Sequence, residues 1–167
     1  MQQRFAFPLI LIFGLILYFP ILGTGTFILD DGDGLAQARS LINTPLRDLF
    51  LGGGTYYRPV LMLTYMTDII LWDGHPGVMH LVNVLLHVFN SFLVYLNVSI
   101  FYPLKTGKVH TLSLCAAVLF LVHPINTESI NWISGRTDPL AAFFALIATY
   151  FVLYSIQNTS RLHLWVA

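Results

Sequence analysis

VMHLVNVLLHVFNSFLVYLNVSIFY, residues 78–102, runs for 25 positions without a charged side chain. A run of that length crosses the roughly 30 Å hydrocarbon core of a bilayer as a helix with some tilt. It is not uniformly apolar. His80, Asn83, His87, Asn90 and Asn97 follow at spacings of three, four, three and seven, which puts them on one helical face. Polar groups at membrane depth face a bundle interior or a wet cavity, so this helix requires neighbours. The stretch therefore predicts an all-α, polytopic membrane helical bundle.

The neighbours lie on both sides. Residues 5–23 form an apolar run with one flanking charge, Arg4; it is longer than a signal-peptide core and lacks a small-residue cleavage pattern, so it reads as a retained helix. Residues 109–122 and 139–156 complete four spans, and 162–167 reads as the start of a truncated fifth. The 109–122 run is the shortest and reaches across only if its ends are thinned or capped by protein. Composition agrees: 56% of the chain is hydrophobic and 10% charged, against about 25% charged in soluble domains. Mean hydropathy is +0.73. Eight Lys and Arg cancel eight Asp and Glu, which removes the basic patch that nucleic-acid binding needs. The single cysteine, Cys115, excludes a disulfide framework and a Cys-based metal site.

Four spans with a cytoplasmic N-terminus put 24–77 and 123–138 outside. Basic residues tie, with Arg4, Lys105, Lys108 and Arg161 inside against Arg39, Arg47, Arg58 and Arg136 outside. The inner ones sit in very short segments, where the positive-inside bias operates. Asn158-Thr159-Ser160 is formally a glycosylation sequon, inert on the cytoplasmic side.

The two outer segments carry the candidate chemistry. In 24–77, apolar residues recur at three- and four-residue intervals from Gly34 to Phe50, an amphipathic pattern suited to the interface. Thr44-Pro45 interrupts it, and 59–72 is an apolar stretch with Thr64, Thr67 and Asp68, too short to span easily and better placed as a juxtamembrane helix. Before these, Leu29-Asp30-Asp31-Gly32-Asp33-Gly34 fails the EF-hand ligand pattern. It suits a turn in which Asp33 caps the next helix. It equally suits a pair of carboxylates whose repulsion and partial desolvation raise one pKa toward a useful base. In 123–138, His123, Glu128, Arg136 and Asp138 crowd into one short connection. A solvated loop with a Glu128–Arg136 pair and an Asp138 helix cap explains them, as does a site in which they face one small volume. For the 80–97 stripe, interhelical hydrogen bonding explains Asn90 and Asn97, while His80, near the outer end, is also a site candidate.

In order and spacing, Asp30-Asp31, Tyr57-Arg58-Pro59, HLVNVLLH at 80–87, and His123-Pro124 through Glu128 to Gly135-Arg136-Thr137-Asp138 resemble the TMTC-type membrane glycosyltransferases and their bacterial tetratricopeptide-bearing relatives. These are of the GT-C class and similar to protein O-mannosyltransferases. The resemblance covers nearly the whole chain, and its last motif is the most specific. It implies the N-terminal portion of a GT-C-type fold, in a bacterial inner membrane or the endoplasmic reticulum. The implied activity is transfer of a monosaccharide from a polyprenyl-phosphate donor to a hydroxyl of an acceptor protein, Ser or Thr, on the non-cytoplasmic side. By that likeness Asp30 and Asp31 hold and deprotonate the acceptor, and Arg58 and Arg136 take the donor phosphate, for which guanidinium is the suited partner. His80, Asn83, His123, Glu128 and Asp138 line the donor side, His123 or Glu128 orienting Arg136. The carboxylate pair can also hold Mg²⁺ or Mn²⁺ through oxygen. Family cores have more spans, so the likeness also implies completion by further sequence or another membrane subunit.

Two other functions fit the same residues: a lipid-phosphate binding or transport protein without chemistry, and a structural subunit completed by another chain. The acidic pair argues against the first, because a phosphate binder gains nothing from two anions at its mouth. The orientation is checked with single cysteines at Thr55 and Thr106 in a Cys115-free background. They are expected to label from opposite sides of the membrane, and labelling from the same side overturns the topology.

Overall fold

The computed structural model describes residues 5–23, 27, 31–51, 57–102 and 107–166. Their helices are α1 (Ala6–Leu22), α2 (Asp31–Leu41), α3 (Leu46–Leu51), α4 (Pro59–Trp72), α5 (Pro76–Phe101), α6 (Gly107–Val122), α7 (Thr127–Asn131) and α8 (Thr137–Val166). Two of them are long and apolar enough to cross a membrane, Pro76–Phe101 and Ser134–Asn158. Lys108–Val122 and Pro124–Asn131 qualify together as a third span broken by a 45° bend. α1, at 17 residues, is about 25 Å long and lies at the short end of the spanning range; α4 is shorter still. α8 continues unbroken through Val166, so residues 162–166, read from sequence as a fifth segment, extend the fourth helix. No Pro or Gly separates them from it.

α5 is the central helix and packs against α1, α6 and α8. Ile10 and Tyr18 of α1 bury themselves against Val84, Val88 and Tyr95 of α5 and Ala117 and Leu121 of α6. The polar stripe of α5 bonds its neighbours through their backbone carbonyls. Asn83 Nδ2 donates to the Trp132 carbonyl at 3.0 Å, Asn90 Nδ2 to Pro139 at 2.8 Å and Asn97 Nδ2 to Leu146 at 3.0 Å. Each bond fixes the height and rotation of α5 against the α7–α8 arm, which apolar contact in lipid cannot do, since lipid tails are as apolar as the side chains.

The bend after α6 has a specific cause. Pro124 lacks the N–H that would serve the Phe120 carbonyl, and Asn126 Nδ2 supplies that bond at 2.9 Å. The Ile125 amide turns instead to His123 Nδ1, 3.2 Å away. The Leu121 carbonyl takes the Tyr18 hydroxyl at 3.2 Å and His87 Nε2 at 3.1 Å. The chain is thus helical through most of the expected 123–138 loop, folding back as a short 3₁₀ turn, α7, and a second 3₁₀ turn at Ser134–Arg136.

A second, smaller core sits beside the start of α5. Leu35 and Ala38 of α2 pack on Leu61, Met62, Tyr65, Met66 and Ile69 of α4, closed by Met79 and Ile133. α4 starts with Pro59 at a position where Pro is tolerated. It ends at Asp73 and Gly74, both left-handed with φ of 53° and 67°. The Asp73 and Gly74 amides cap the Asp68 and Ile69 carbonyls. A side chain at Gly74 would also displace the tip of Leu35, whose Cδ1 lies 2.9 Å from the added Cβ, but it is the left-handed conformation that favours glycine at the α4–α5 corner.

Replacing Asn90 with Leu is expected to keep the helical content but loosen the α5–α8 contact. The predicted loss is about 0.6–2 kcal/mol of stability in detergent or bilayer, read as a lowered unfolding midpoint; an unchanged midpoint would show that the bond to Pro139 carries no weight.

Candidate functional site

A cavity of about 690 Å³ opens where the two cores meet. Asp33, Gly34 and Gln37 of α2 form one wall, and Arg58, Leu61, Met62 and Tyr65 form another. The third is the folded-back segment, with Ile125, Glu128, Ser129, Trp132, Ser134, Gly135, Thr137 and Asp138. Three carboxylates and one guanidinium thus face a single volume, with hydroxyl, amide and indole groups between them. Gly135 allows this wall to fold: a Cβ there would lie 2.8 Å from the Ser129 carbonyl oxygen and 2.9 Å from its Cα, so only glycine lets the turn approach α7 so closely.

Polar contacts fix the wall's shape. Asp138 Oδ2 accepts from Ser129 Oγ at 2.8 Å, and Arg58 Nη1 donates to Thr137 Oγ1 at 3.3 Å. Asp31, 1% exposed, accepts the Ser134 amide through Oδ1 at 2.8 Å, tying the first turn of α2 to the opposite wall. Asp30 lies outside the described residues.

Arg136 is not on the cavity wall. It is fully buried beneath it, with Nε donating to Asn83 Oδ1 at 2.6 Å, Nη1 to Asp68 Oδ2 at 2.6 Å and to Thr64 Oγ1 at 3.1 Å, and Nη2 to the Met79 carbonyl at 3.0 Å. The Tyr65 ring centroid lies 4.9 Å from the guanidinium carbon, and the Tyr65 hydroxyl donates to the Ile133 carbonyl at 3.0 Å. Burial raises the Asp68 carboxyl pKa, while the Arg136 charge and hydrogen bond pull it back down. Arg136 is paired with Asp68, not Glu128, because α4 brings a buried acid to the guanidinium while Glu128 lies exposed on the cavity wall.

Of the residues singled out in the sequence, Arg58, Glu128 and Asp138 meet on the cavity. Asp31 braces it, Asn83 and Arg136 are buried beneath it without lining it, and His80 is buried on α5. His123 is exposed and accepts from the Ile125 amide, so it caps a turn and does not orient Arg136. Sequence reasoning missed Gln37, Tyr65, Ser129, Trp132, Ser134 and Thr137 as cavity residues and took Asp33 only for a cap. The signal for Asp68 was present, as the one acid inside an apolar 14-residue helix. Among the described residues no group of three or more His, Cys, Asp or Glu is arranged to hold a metal ion; Asp30, half of the pair read from sequence as a possible Mg²⁺ or Mn²⁺ holder, lies outside them.

Fold and cavity together define a helical membrane protein with a polar site at one end of its bundle. Comparison with known proteins names the relatives. The chain is 35% identical over 148 residues to Protein O-mannosyl-transferase TMTC4 of Homo sapiens, a match covering 74% of this chain and 20% of that protein. It is 32% identical over 134 residues to TMTC3 of Mus musculus, covering 73% and 14%, and 32% identical over 148 residues to Tmtc1 of Drosophila melanogaster, covering 80% and 16%. The chain therefore belongs to the TMTC family, and it spans about a fifth of the length of the TMTC4 relative. No family model matches the chain. No solved structure matches it either.

Because Arg136 and Asp68 are 0% and 4% exposed in their side chains, Asp68→Ala is expected to cost about 3–5 kcal/mol by leaving a buried charge unpaired. Arg136→Lys keeps the charge but not the fork to four partners and should also destabilise. Arg39→Ala removes an exposed pair with Asp73 and should change stability by less than about 1 kcal/mol. Thermal unfolding of the three variants in detergent tests the contrast; equal midpoints would remove Arg136 as the anchor.

Proposed function

We propose that this chain forms the substrate-facing part of a multi-pass membrane glycosyltransferase. It would move a monosaccharide from a polyprenyl-phosphate donor to a Ser or Thr hydroxyl of an acceptor protein. The observation that carries the reading is the grouping of Asp33, Glu128, Asp138 and Arg58 on one cavity at the end of an apolar bundle, in a chain whose relatives are named protein O-mannosyl-transferases. In this reading the N-terminus is cytoplasmic and the cavity opens on the other side, as the density of basic residues suggests.

The chemistry asks for a base, a cation and exclusion of water. One carboxylate of the Asp30–Asp31 pair takes the acceptor proton, and Asp31 is oriented by the Ser134 amide. The acceptor oxygen forms its bond to the anomeric carbon as the bond from that carbon to the phosphate oxygen breaks, and polyprenyl phosphate leaves. Arg58 is suited to the leaving phosphate, since guanidinium stays charged and pairs with phosphate oxygens. Arg136 supports donor binding indirectly in this scheme, by holding the cavity floor in place. Asp33 and Glu128 are suited to sugar or acceptor hydroxyls.

Transfer from polyprenyl-phosphate mannose to a Ser/Thr peptide is measured in membranes carrying the protein. Asp30→Asn or Asp31→Asn, whichever removes the base, should lower turnover by about 10²–10⁴-fold with donor binding retained. Arg58→Ala should weaken donor binding. Unchanged turnover in both aspartate variants would leave the acidic pair as a turn and a brace, and the base would have to be sought elsewhere.

A further inference from the structure

α7 is a wall of two concavities. Glu128 and Trp132, four residues apart, line the polar cavity, while Thr127 and Asn131, also four apart and so on one adjoining helical face, line a smaller concavity of about 240 Å³. Leu17, Pro20 and Ile21 from the last turns of α1 and Val122 from the end of α6 give this second concavity an apolar lining, to which Tyr18 adds a phenol ring. Among the described residues no charged side chain lines it. The Tyr18 hydroxyl is spent on the Leu121 carbonyl. Asn131 Oδ1, by contrast, is buried and accepts no hydrogen bond among the described residues. A buried acceptor without a donor costs free energy, so a donor arriving from outside the chain binds with that cost removed. One turn further along the same helix faces, Phe13 of α1 and Leu119 of α6 are exposed. The apolar lining thus continues from the end of the bundle toward the bilayer.

We propose that this concavity binds an uncharged lipid presenting a hydroxyl at the membrane surface, of the diacylglycerol kind, and that the bound lipid steadies α7 as a wall of the polar cavity. The inference is independent of the donor and acceptor chemistry proposed above. Three properties of the lining select this ligand. Asn131 Oδ1 asks for a donor, which a hydroxyl supplies. A phosphate head group finds no cation here, meets an acceptor oxygen, and would lie as an unpaired charge against Leu17, Pro20 and Ile21, which is costly. Water satisfies the amide but leaves the four aliphatic side chains wet, and hydrocarbon gains by displacing it. The effect on α7 follows from its length: five residues are too few for a helix to be stable by itself, so its position depends on what packs against each face.

The test uses the full chain in phosphatidylcholine nanodiscs and a diacylglycerol carrying a photoreactive diazirine close to the glycerol on one acyl chain. Label is expected on peptides of α1 and α7, suppressed by excess unlabelled diacylglycerol and not by the same lipid with its hydroxyl acetylated. Asn131→Ala removes the acceptor and should lower that label about three- to tenfold, the value of one hydrogen bond. Leu17→Trp, at an exposed position, fills the concavity and should abolish it, whereas Ile16→Trp, exposed on α1 but off the concavity, should leave it unchanged. Amide exchange in residues 127–132 should slow when diacylglycerol is added to the unaltered chain and not in Leu17→Trp. Competed label that maps to other helices, or that is indifferent to Leu17→Trp, overturns the site. Label at α1 and α7 that the acetylated lipid removes equally well, or that survives Asn131→Ala undiminished, overturns the hydroxyl ligand and leaves ordinary lipid contact. Binding without slower exchange overturns the effect on α7, and absence of any competed label overturns the proposal as a whole.

Discussion

The buried guanidinium of Arg136 organises the end of the molecule that carries the cavity. A charge taken out of water is tolerated only when paired and fully hydrogen-bonded, and Arg136, on the turn before α8, meets that demand by drawing on two other elements: Thr64 and Asp68 of α4 and Met79 and Asn83 of α5. Those partners must converge to within hydrogen-bond distance of one planar group, which leaves little freedom in how α4 leans on the bundle. With α4 fixed, α2 follows through the Leu35, Ala38 and Tyr65 core, and the cavity walls are set.

A similar logic operates lower in the bundle. In lipid there is no hydrophobic force between apolar helices, so relative position comes from packing and from hydrogen bonds. α5 provides them from one face, spending His87, Asn90 and Asn97 on carbonyls of α6 and α8. The Pro124 break adds to this economy: it leaves carbonyls at the end of α6 without helical donors, and Asn126, Tyr18 and His87 fill those positions. The same proline turns the chain back to form a cavity wall, so a backbone defect and the site share one cause.

The polar cavity adjoins a smaller apolar concavity, and Arg58, Leu61 and Thr137 line both. Carboxylates and hydroxyls lie on the polar side and aliphatic and aromatic side chains on the other. This division follows from where the site sits, at the level where α8 leaves the polar headpiece and enters its long apolar stretch.

The sequence alone determined the helical membrane class, because 25 uncharged residues and a polar stripe at helical spacing have few other physical solutions. It also determined the family resemblance and the region of the site, through the order of its motifs. Individual roles were decided only by tertiary structure. Arg136 and Arg58 are equally cationic in the sequence; one is buried against Asp68 and the other faces the cavity. Asp31 and Asp33 are two residues apart, yet one is locked to the Ser134 amide and the other lines the cavity. Periodicity assigns a residue to a face of its own helix, but which neighbour covers that face depends on contacts 53 and 103 residues distant, and burial of a charge is settled by whether such a partner arrives.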